Sequence, residues 1–266
     1  MVDEWTEEPA GRGLTRRRTL QLLGLAGAGA VVASLLATSK SLLPPPITCT
    51  GAITDRFLYG RPNPGQTVWW KALVNRPARA TDFALWDGAA TVWRPALDAN
   101  GLPEPGCGLP AIVIRVDGSL LEYPTGPPFP FGDSIIDTTI NGEQYTFVAL
   151  YDRCVHLCCN PGWHLANVPR AFRTYDLPGI GEPRTFLANP SQDPVWCLCH
   201  NSQYDPVTLV NDRHPNGVQY VGAQRVHGPA NRGLPAIPLK LNGEFIEGIY
   251  EPADGGHPQW YSAYCR

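Results

Sequence analysis

The sequence predicts a mainly β fold, in which an antiparallel head domain follows one apolar helix at the amino end. Glycine (27) and proline (28) make up about a fifth of the 266 residues and are spread along the chain, which favours short strands joined by turns. No segment after residue 40 shows helical periodicity over three turns. The net charge of -3, without a basic stripe, excludes nucleic acid as a predicted partner.

The amino end carries one long apolar run. Residues 1–18 are polar and end in Arg16-Arg17-Arg18, and residues 19–39 contain no charged side chain. As a helix this run spans roughly 31 Å, enough to cross a bilayer. Because the arginines precede the run and only Lys40 follows it closely, the positive-inside rule places residues 1–18 in the cytoplasm. The sequence therefore predicts a single-pass cell-membrane protein with its head on the outer side, periplasmic or extracellular.

The string RRRTLQLLG in this region also resembles a twin-arginine export signal, which serves proteins that fold and acquire a cofactor before export. The alternatives are a cleaved signal peptide, with Ala28-Gly29-Ala30 as the processing site, and an apolar helix of a soluble core. We favour a retained transmembrane anchor because the run is long for a signal peptide. Three prolines, Pro44 to Pro46, then forbid further helix, so residues 40–48 are interpreted as a Pro-rich linker and residues 49–266 as the head domain.

Strand signals recur through the head domain. The predicted strands are QTVWWKAL (66–73), AIVIRV (111–116), QYTFVAL (144–150) and residues 218–221. A hairpin is predicted in PLKLNGEFIE (238–247), where Asn242-Gly243 can take the positive φ values of a two-residue turn. These segments predict an antiparallel β head.

Five of the eight cysteines lie in two short boxes, CVHLCC (154–159) and CLCHNSQY (197–204). Each box places a cysteine close to a histidine. Two thiolates and two imidazoles can hold one tetrahedral zinc ion or one 2Fe-2S cluster. A zinc finger of the usual kind pairs Cys with Cys and His with His at short range, whereas each box here pairs Cys with His. The spacing favours the cluster, and the alternatives are a zinc site or a disulfide-rich surface loop.

The two boxes resemble the CTHLGC and CPCHGS loops of Rieske iron-sulfur proteins of cytochrome bc complexes. The resemblance implies a small cluster-binding subdomain at about residues 150–235. In it, Cys154 and Cys197 bind one iron, and His156 and His200 bind the other. It further implies a disulfide between Cys159 and Cys199 that joins the two loops.

Further matches lie outside the ligands. The hydroxyls of Ser202 and Tyr204 match donors that, in the family, bond to a cluster sulfide and a ligand cysteine, and such donors raise the reduction potential. The sequence HGPA (227–230), which includes Gly228 and Pro229 and is followed by Leu234-Pro235, resembles the proline loop that covers the cluster. Leu157 matches an apolar residue that shields it. Cys158 and Asn201 stand where the family usually has glycine, and the segment 160–196 is longer than the resemblance predicts.

The implied function is one-electron transfer in a membrane quinol-oxidising complex, with a cytochrome b-type subunit as partner and a c-type haem or other acceptor. In the family, a ligand imidazole accepts the quinol proton, so His156 and His200 are the expected catalytic residues. The resemblance also implies a multi-subunit, dimeric assembly. The alternatives are a Rieske subunit of another exported oxidoreductase, of the arsenite oxidase type, an oxygenase ferredoxin, and a zinc-stabilised exported binding module.

The remaining cysteines and histidines have no assigned role. Four cysteines outside the implied ligand and disulfide sets allow three pairings that the sequence does not separate. These are Cys49, Cys107, Cys158 and Cys265. His164, His214 and His257 are interpreted as surface or turn residues.

Overall fold

The computed structural model describes residues 48–62, 65, 67–124, 135–163, 194–215, 217 and 219–250. The predicted anchor and export signal, and residues 40–47 of the predicted linker, lie outside this part of the chain. Within the described ranges, no helix is both long enough and apolar enough to cross a membrane.

The described residues form thirteen strands and three short 3-10 helices, which confirms the predicted mainly β head. The strands are β1 (Ala52–Ile53), β2 (Phe57–Tyr59), β3 (Gly88–Trp93), β4 (Ala96–Leu97), β5 (Leu109–Val116), β6 (Ile135–Ile140), β7 (Glu143–Tyr151), β8 (Val195–Cys197), β9 (Ser202–Arg213), β10 (Gln219–His227), β11 (Leu234–Pro235), β12 (Leu239–Asn242) and β13 (Phe245–Gly248). The 3-10 helices are Trp69–Leu73, Ala80–Asp82 and Gly118–Leu120.

A five-stranded antiparallel sheet, in the order β2-β3-β5-β7-β6, forms the base of the head. Its central strands β5 and β7 pair from Ala111↔Tyr151 to Val116↔Thr146, in agreement with the predicted strands at 111–116 and 144–150. One face packs into a core that includes Phe57, Phe147 and Ile246. The runs of β-branched and aromatic residues in β5 and β7 suit strands buried by neighbours on both sides.

A second sheet, in the order β11-β10-β9-β8, carries the second box. Strand β10 (Gln219–His227) includes residues 219–221 of the predicted strand at 218–221 and continues to His227. A second apolar core joins this sheet to the base sheet through residues such as Ile114, Leu150 and Val195. Buried Cys154 and Cys197 belong to this core, so the boxes are fixed by packing as well as by their own turns.

The predicted strand at 66–73 is wrong, because Trp69–Leu73 is a 3-10 helix. The indole N–H of Trp69 donates to the carbonyl of Gly88, and that of Trp70 donates to the carbonyl of Gly60. Successive side chains of a strand point to opposite faces, whereas both indoles here reach the base sheet. The helical turn places the two aromatic rings at a centroid distance of 5.6 Å.

The predicted hairpin at 238–247 forms, with its turn shifted by one residue. Asn242 pairs with Phe245 as the last residue of β12, so the two turn residues are Gly243 and Glu244. Only Gly243 of this pair has a positive φ, at 62°. A second hairpin, absent from the predictions, joins β6 to β7 through Asn141 and Gly142, whose φ angles are 51° and 84°.

An arginine is buried in β5, the central strand of the base sheet. Arg115 donates to the carbonyls of Phe83 (2.8 Å) and Gln144 (2.9 Å) and to a carboxylate oxygen of Glu143 (2.5 Å). Its guanidinium lies 3.7 Å from the ring centre of Tyr145. The hydrogen bond from Arg115 holds the pKa of Glu143 below its ordinary value, and the Tyr145 hydroxyl acts in the same direction.

Replacing Glu143 with glutamine is expected to lower the free energy of unfolding at neutral pH and to change it little in acid. A carboxyl whose pKa is lowered by folding stabilises the protein above its ordinary pKa of 4.5, and this stabilisation is lost as the pH falls through the lower folded-state pKa. Urea unfolding of the two proteins at neutral pH and in acid measures the difference. Glu244→Gln is the control, because its partner Arg79 is an exposed side chain. An equal loss at both pH values would contradict the linkage.

Candidate metal centre

The two boxes form two tight loops at the end of the second core. In the first, Cys154 N–H donates to the carbonyl of Cys159 (2.8 Å), and Cys158 N–H donates to that of Cys154 (2.9 Å). In the second, Asn201 N–H donates to the carbonyl of Cys197 (2.9 Å), and Cys197 pairs with Ser202 across β8 and β9. In each loop the carbonyl of the first cysteine accepts a hydrogen bond from an amide four residues later, so each loop is a tight turn that begins at that cysteine.

The two loops are joined covalently by a disulfide between Cys159 and Cys199, the pair that the resemblance implies. Cys158, its neighbour, is disulfide-bonded as well. A further disulfide joins Cys49 to Cys107, which lie outside both boxes. Gly162, which follows the first box, and Trp196, which precedes the second, are joined by backbone hydrogen bonds of 2.9 and 3.0 Å. These bonds also hold the two boxes together.

Two cysteines of the described chain remain as thiols, and they are Cys154 and Cys197. Each is 1% exposed. Burial raises the pKa of Cys197 to about 11, and the neighbouring Cys154 adds to the rise. Buried thiols that lie together without forming a disulfide suit a group that binds both of them as thiolates.

The two box histidines lie beside each other. The ring centres of His156 and His200 are 4.8 Å apart, and the ring planes are nearly perpendicular at 89°. Nδ1 of His156 is buried and, within the described part of the chain, has no hydrogen-bond partner. A buried ring nitrogen without a partner is costly, and a metal bond would satisfy it. His200 is exposed, so one imidazole of the pair faces solvent.

These four side chains fit a centre with two sulfur and two nitrogen ligands. In such a centre the buried Cys154 and Cys197 would supply the sulfur ligands, and the adjacent His156 and His200 would supply the nitrogen ligands. The Sγ atoms of Cys159, Cys197 and Cys199 also lie within 4.8 Å of one another. Cys159 and Cys199 are bonded to each other, so Cys197 alone of these three has a free sulfur.

Two buried hydroxyls line the sulfur side of the centre. The Tyr204 hydroxyl lies 3.1 Å from Sγ of Cys154. Burial raises the pKa of Tyr204 above its ordinary value, the charge of Cys154 adds to the rise, and a hydrogen bond from Ser202 opposes it. The Ser202 hydroxyl is fully buried and accepts a hydrogen bond from Ala230 N–H (3.1 Å). Both hydroxyls remain protonated at physiological pH, so both remain donors.

The segment 227–235 lies against the second box. The backbone of Gly228 contacts the backbone of Asn201 and Ser202 closely enough that a Cβ atom would lie 2.3 Å from the Asn201 carbonyl oxygen. On the opposite, outer side the loops present Leu157, 60% exposed, and Leu198, 58% exposed. Leu198 was not predicted, although it follows Cys197 as an apolar residue inside a box, as Leu157 does in the first.

Sequence reasoning also missed a buried carboxyl. Asp152 precedes the first box, and burial raises its pKa to about 7. One of its oxygens is buried without a hydrogen-bond partner among the described residues. A lone Asp between a strand and a turn gives no sequence signal of burial, because the same residue type is typical of exposed turns.

Two positions in the boxes, which carry glycine in the family that the boxes resemble, have left-handed backbone conformations. Cys158 has a φ of 60° and Asn201 a φ of 63°. Asn tolerates this region better than most residues, and the Asn201 side chain also accepts a hydrogen bond from Gln203 Nε2 (2.9 Å). The loops thus keep a geometry that glycine would allow, with side chains in place.

Asn201→Ala is expected to destabilise the protein by about 1 kcal/mol more than Asn201→Gly, because a positive φ raises the conformational free energy of alanine and not that of glycine. Both variants lose the bond to Gln203, so their difference isolates the backbone conformation. Thermal unfolding measures it. The same pair of substitutions at Asn141, also left-handed at φ 51° and remote from the boxes, is the control. Equal stability of the two Asn201 variants would contradict the backbone explanation.

Comparisons with known proteins add no identification. No protein-family model matches the chain. No curated protein matches it either.

Proposed function

We propose that this chain is a Rieske-type electron carrier that holds a 2Fe-2S cluster with Cys154, Cys197, His156 and His200. The observation that carries the proposal is the convergence of two buried free thiols and two adjacent imidazoles on loops joined by a disulfide. When bound, such a cluster accepts and releases one electron. The spacing of the boxes supports the cluster over zinc, because each loop supplies one sulfur and one nitrogen.

The sulfur side of the site supports a high reduction potential. Hydrogen bonds to cluster sulfurs favour the more negative, reduced state. Tyr204 is placed to donate to Cys154 at 3.1 Å, and Ser202 lies in the same buried pocket. A carrier of high potential can oxidise a quinol, whereas a low-potential ferredoxin cannot.

The outer side supports proton uptake from the substrate. An imidazole that binds a metal through one ring nitrogen keeps the other nitrogen for a hydrogen bond and a proton. His200 is exposed, and the apolar side chains of Leu157 and Leu198 project beside the histidines. An apolar rim beside an exposed imidazole suits a quinol whose hydroxyl gives up its proton at the site. We propose His156 or His200 as the acceptor.

The wider proposal is an electron-transfer subunit of a membrane quinol:acceptor oxidoreductase complex of the cytochrome bc type. Its partners are then a cytochrome b-type subunit with quinol and a c-type cytochrome or other acceptor, in a dimeric assembly at the outer side of the cell membrane. The resemblance of the boxes and the apolar run at 19–39 support this proposal.

Low-temperature electron paramagnetic resonance on the purified full chain tests the proposal. We expect a rhombic signal with an average g below that of all-cysteine clusters, already present after reduction with ascorbate. A signal that needs dithionite would replace the quinol role with a low-potential ferredoxin role. Stoichiometric zinc without any such signal would contradict the cluster and favour a zinc-stabilised module.

A further inference from the structure

We propose that Gly228 and Ala230 are positioning residues for the centre, because the Ala230 amide fixes the direction of the Ser202 hydroxyl and Gly228 allows the segment 227–235 to come close enough to do so. The inference deepens the proposed function and rests on it for the readout at the cluster. It concerns two backbone contacts, neither of which involves a metal ligand.

The first step is the close approach at Gly228. Its φ is 87°, a value that favours glycine. A Cβ atom at this position would lie 2.3 Å from the Asn201 carbonyl oxygen and 2.5 Å from the Ser202 Cα atom. Both contacts are with backbone, so a side chain here must move the segment 227–235 away from the second box.

The second step is the fixation of this segment on both sides of Ala230. The Gly228 carbonyl accepts a hydrogen bond from Arg225 Nη1 (3.0 Å). At the other end, Gly233 N–H donates to Asp212 (2.7 Å), and the Gly233 carbonyl accepts from the Tyr220 hydroxyl (3.0 Å). The amide of Ala230 is therefore held between two anchored ends, and Ala230 itself is buried.

The third step is the direction of the Ser202 proton. A serine hydroxyl has one proton and two lone pairs. Ala230 N–H occupies one lone pair at 3.1 Å, and Ser202 is fully buried. The proton then points away from the Ala230 amide and toward the hydroxyl of Tyr204, which itself lies 3.1 Å from Sγ of Cys154. Without the amide, the hydroxyl is free to rotate, and its donation toward the sulfur side weakens.

The test is a double-mutant cycle read as the reduction potential of the full chain. Ser202→Ala is expected to lower the potential by removing the donor. Gly228→Ala is expected to lower it as well, and to cause little further change in the Ser202→Ala background. Gly243→Ala is the matched control, because Gly243 has a similar φ of 62°, with open space around it, and lies in the β12–β13 turn. Its potential should equal that of the wild type.

Additive effects of Ser202→Ala and Gly228→Ala would overturn the inference, as would an unchanged potential in folded Gly228→Ala. If Gly228→Ala does not fold, a second measurement, made on Ser202→Ala, still tests the inference. Hydrogen exchange of the Ala230 amide is expected to be faster in Ser202→Ala than in the wild type, since the amide loses its acceptor. Equal exchange would overturn the inference even where no cluster signal is found, and absence of the signal alone would overturn only the proposed function.

Discussion

Replacing Cys197 with serine is expected to abolish iron binding. The wild type should contain about two iron atoms per chain, and the variant should fall to background. Cys154 and Cys197 are the two free thiols of the described chain, and the thiolate is the form that binds the metal. A serine hydroxyl is too weak an acid to replace it, and no other free sulfur lies among the described residues. Iron and acid-labile sulfide per chain, with the paramagnetic signal, measure the effect.

The histidine side of the centre gives the matched control. His200→Asn is expected to lose the signal, because asparagine does not replace the imidazole as a ligand to the second iron. His214→Asn should retain it, since His214 lies in the loop after β9 and outside both boxes. Iron at the wild-type level in Cys197→Ser, or equal losses in the two histidine variants, would contradict the ligand set.

The sequence was most informative where the chemistry is local. Each box places its proposed ligands within four residues, so spacing alone brings one cysteine and one histidine together in each loop. The strands β5 and β7 were also predictable, because their apolar runs are buried in the centre of the base sheet. The Asn141-Gly142 turn carries the usual hairpin signal, and β6 was missed because its residues, IIDTTI, do not alternate between apolar and polar types.

The other features depend on contacts between distant segments. Trp69 and Trp70 were predicted to lie in a strand because tryptophan favours strands. Their indoles instead donate to the carbonyls of Gly88 and Gly60, and a helical turn places both rings for these bonds. The contact of Gly228 with the Asn201 backbone joins residues 27 positions apart, and a lone Gly-Pro gives only a turn signal. Arg115 is likewise buried by partners from two other segments, the chain at Phe83 and strand β7, which its position in an apolar strand does not reveal.

Removing the disulfide between Cys159 and Cys199 is expected to destabilise the fold and to release the cluster. In the chain-entropy model, a closed loop of 40 residues stabilises the folded state by about 4 kcal/mol. The Cys159→Ser/Cys199→Ser variant loses this contribution and also frees the two ligand loops from each other. The iron should then be lost to a chelator much faster than in the wild type, at temperatures where the chain remains folded.

The second disulfide separates the global effect from the local one. Cys49 and Cys107 close a loop of 58 residues, for which the same model gives a similar contribution of about 4 kcal/mol. The Cys49→Ser/Cys107→Ser variant should therefore unfold at a similarly lowered urea concentration, while its folded form keeps iron as the wild type does. Equal rates of iron loss in the two variants would show that the Cys159–Cys199 bond acts only through global stability. Slow loss from Cys159→Ser/Cys199→Ser would show that the hydrogen bonds within each loop and the packing of Cys154 and Cys197 in the second core suffice to hold the centre together.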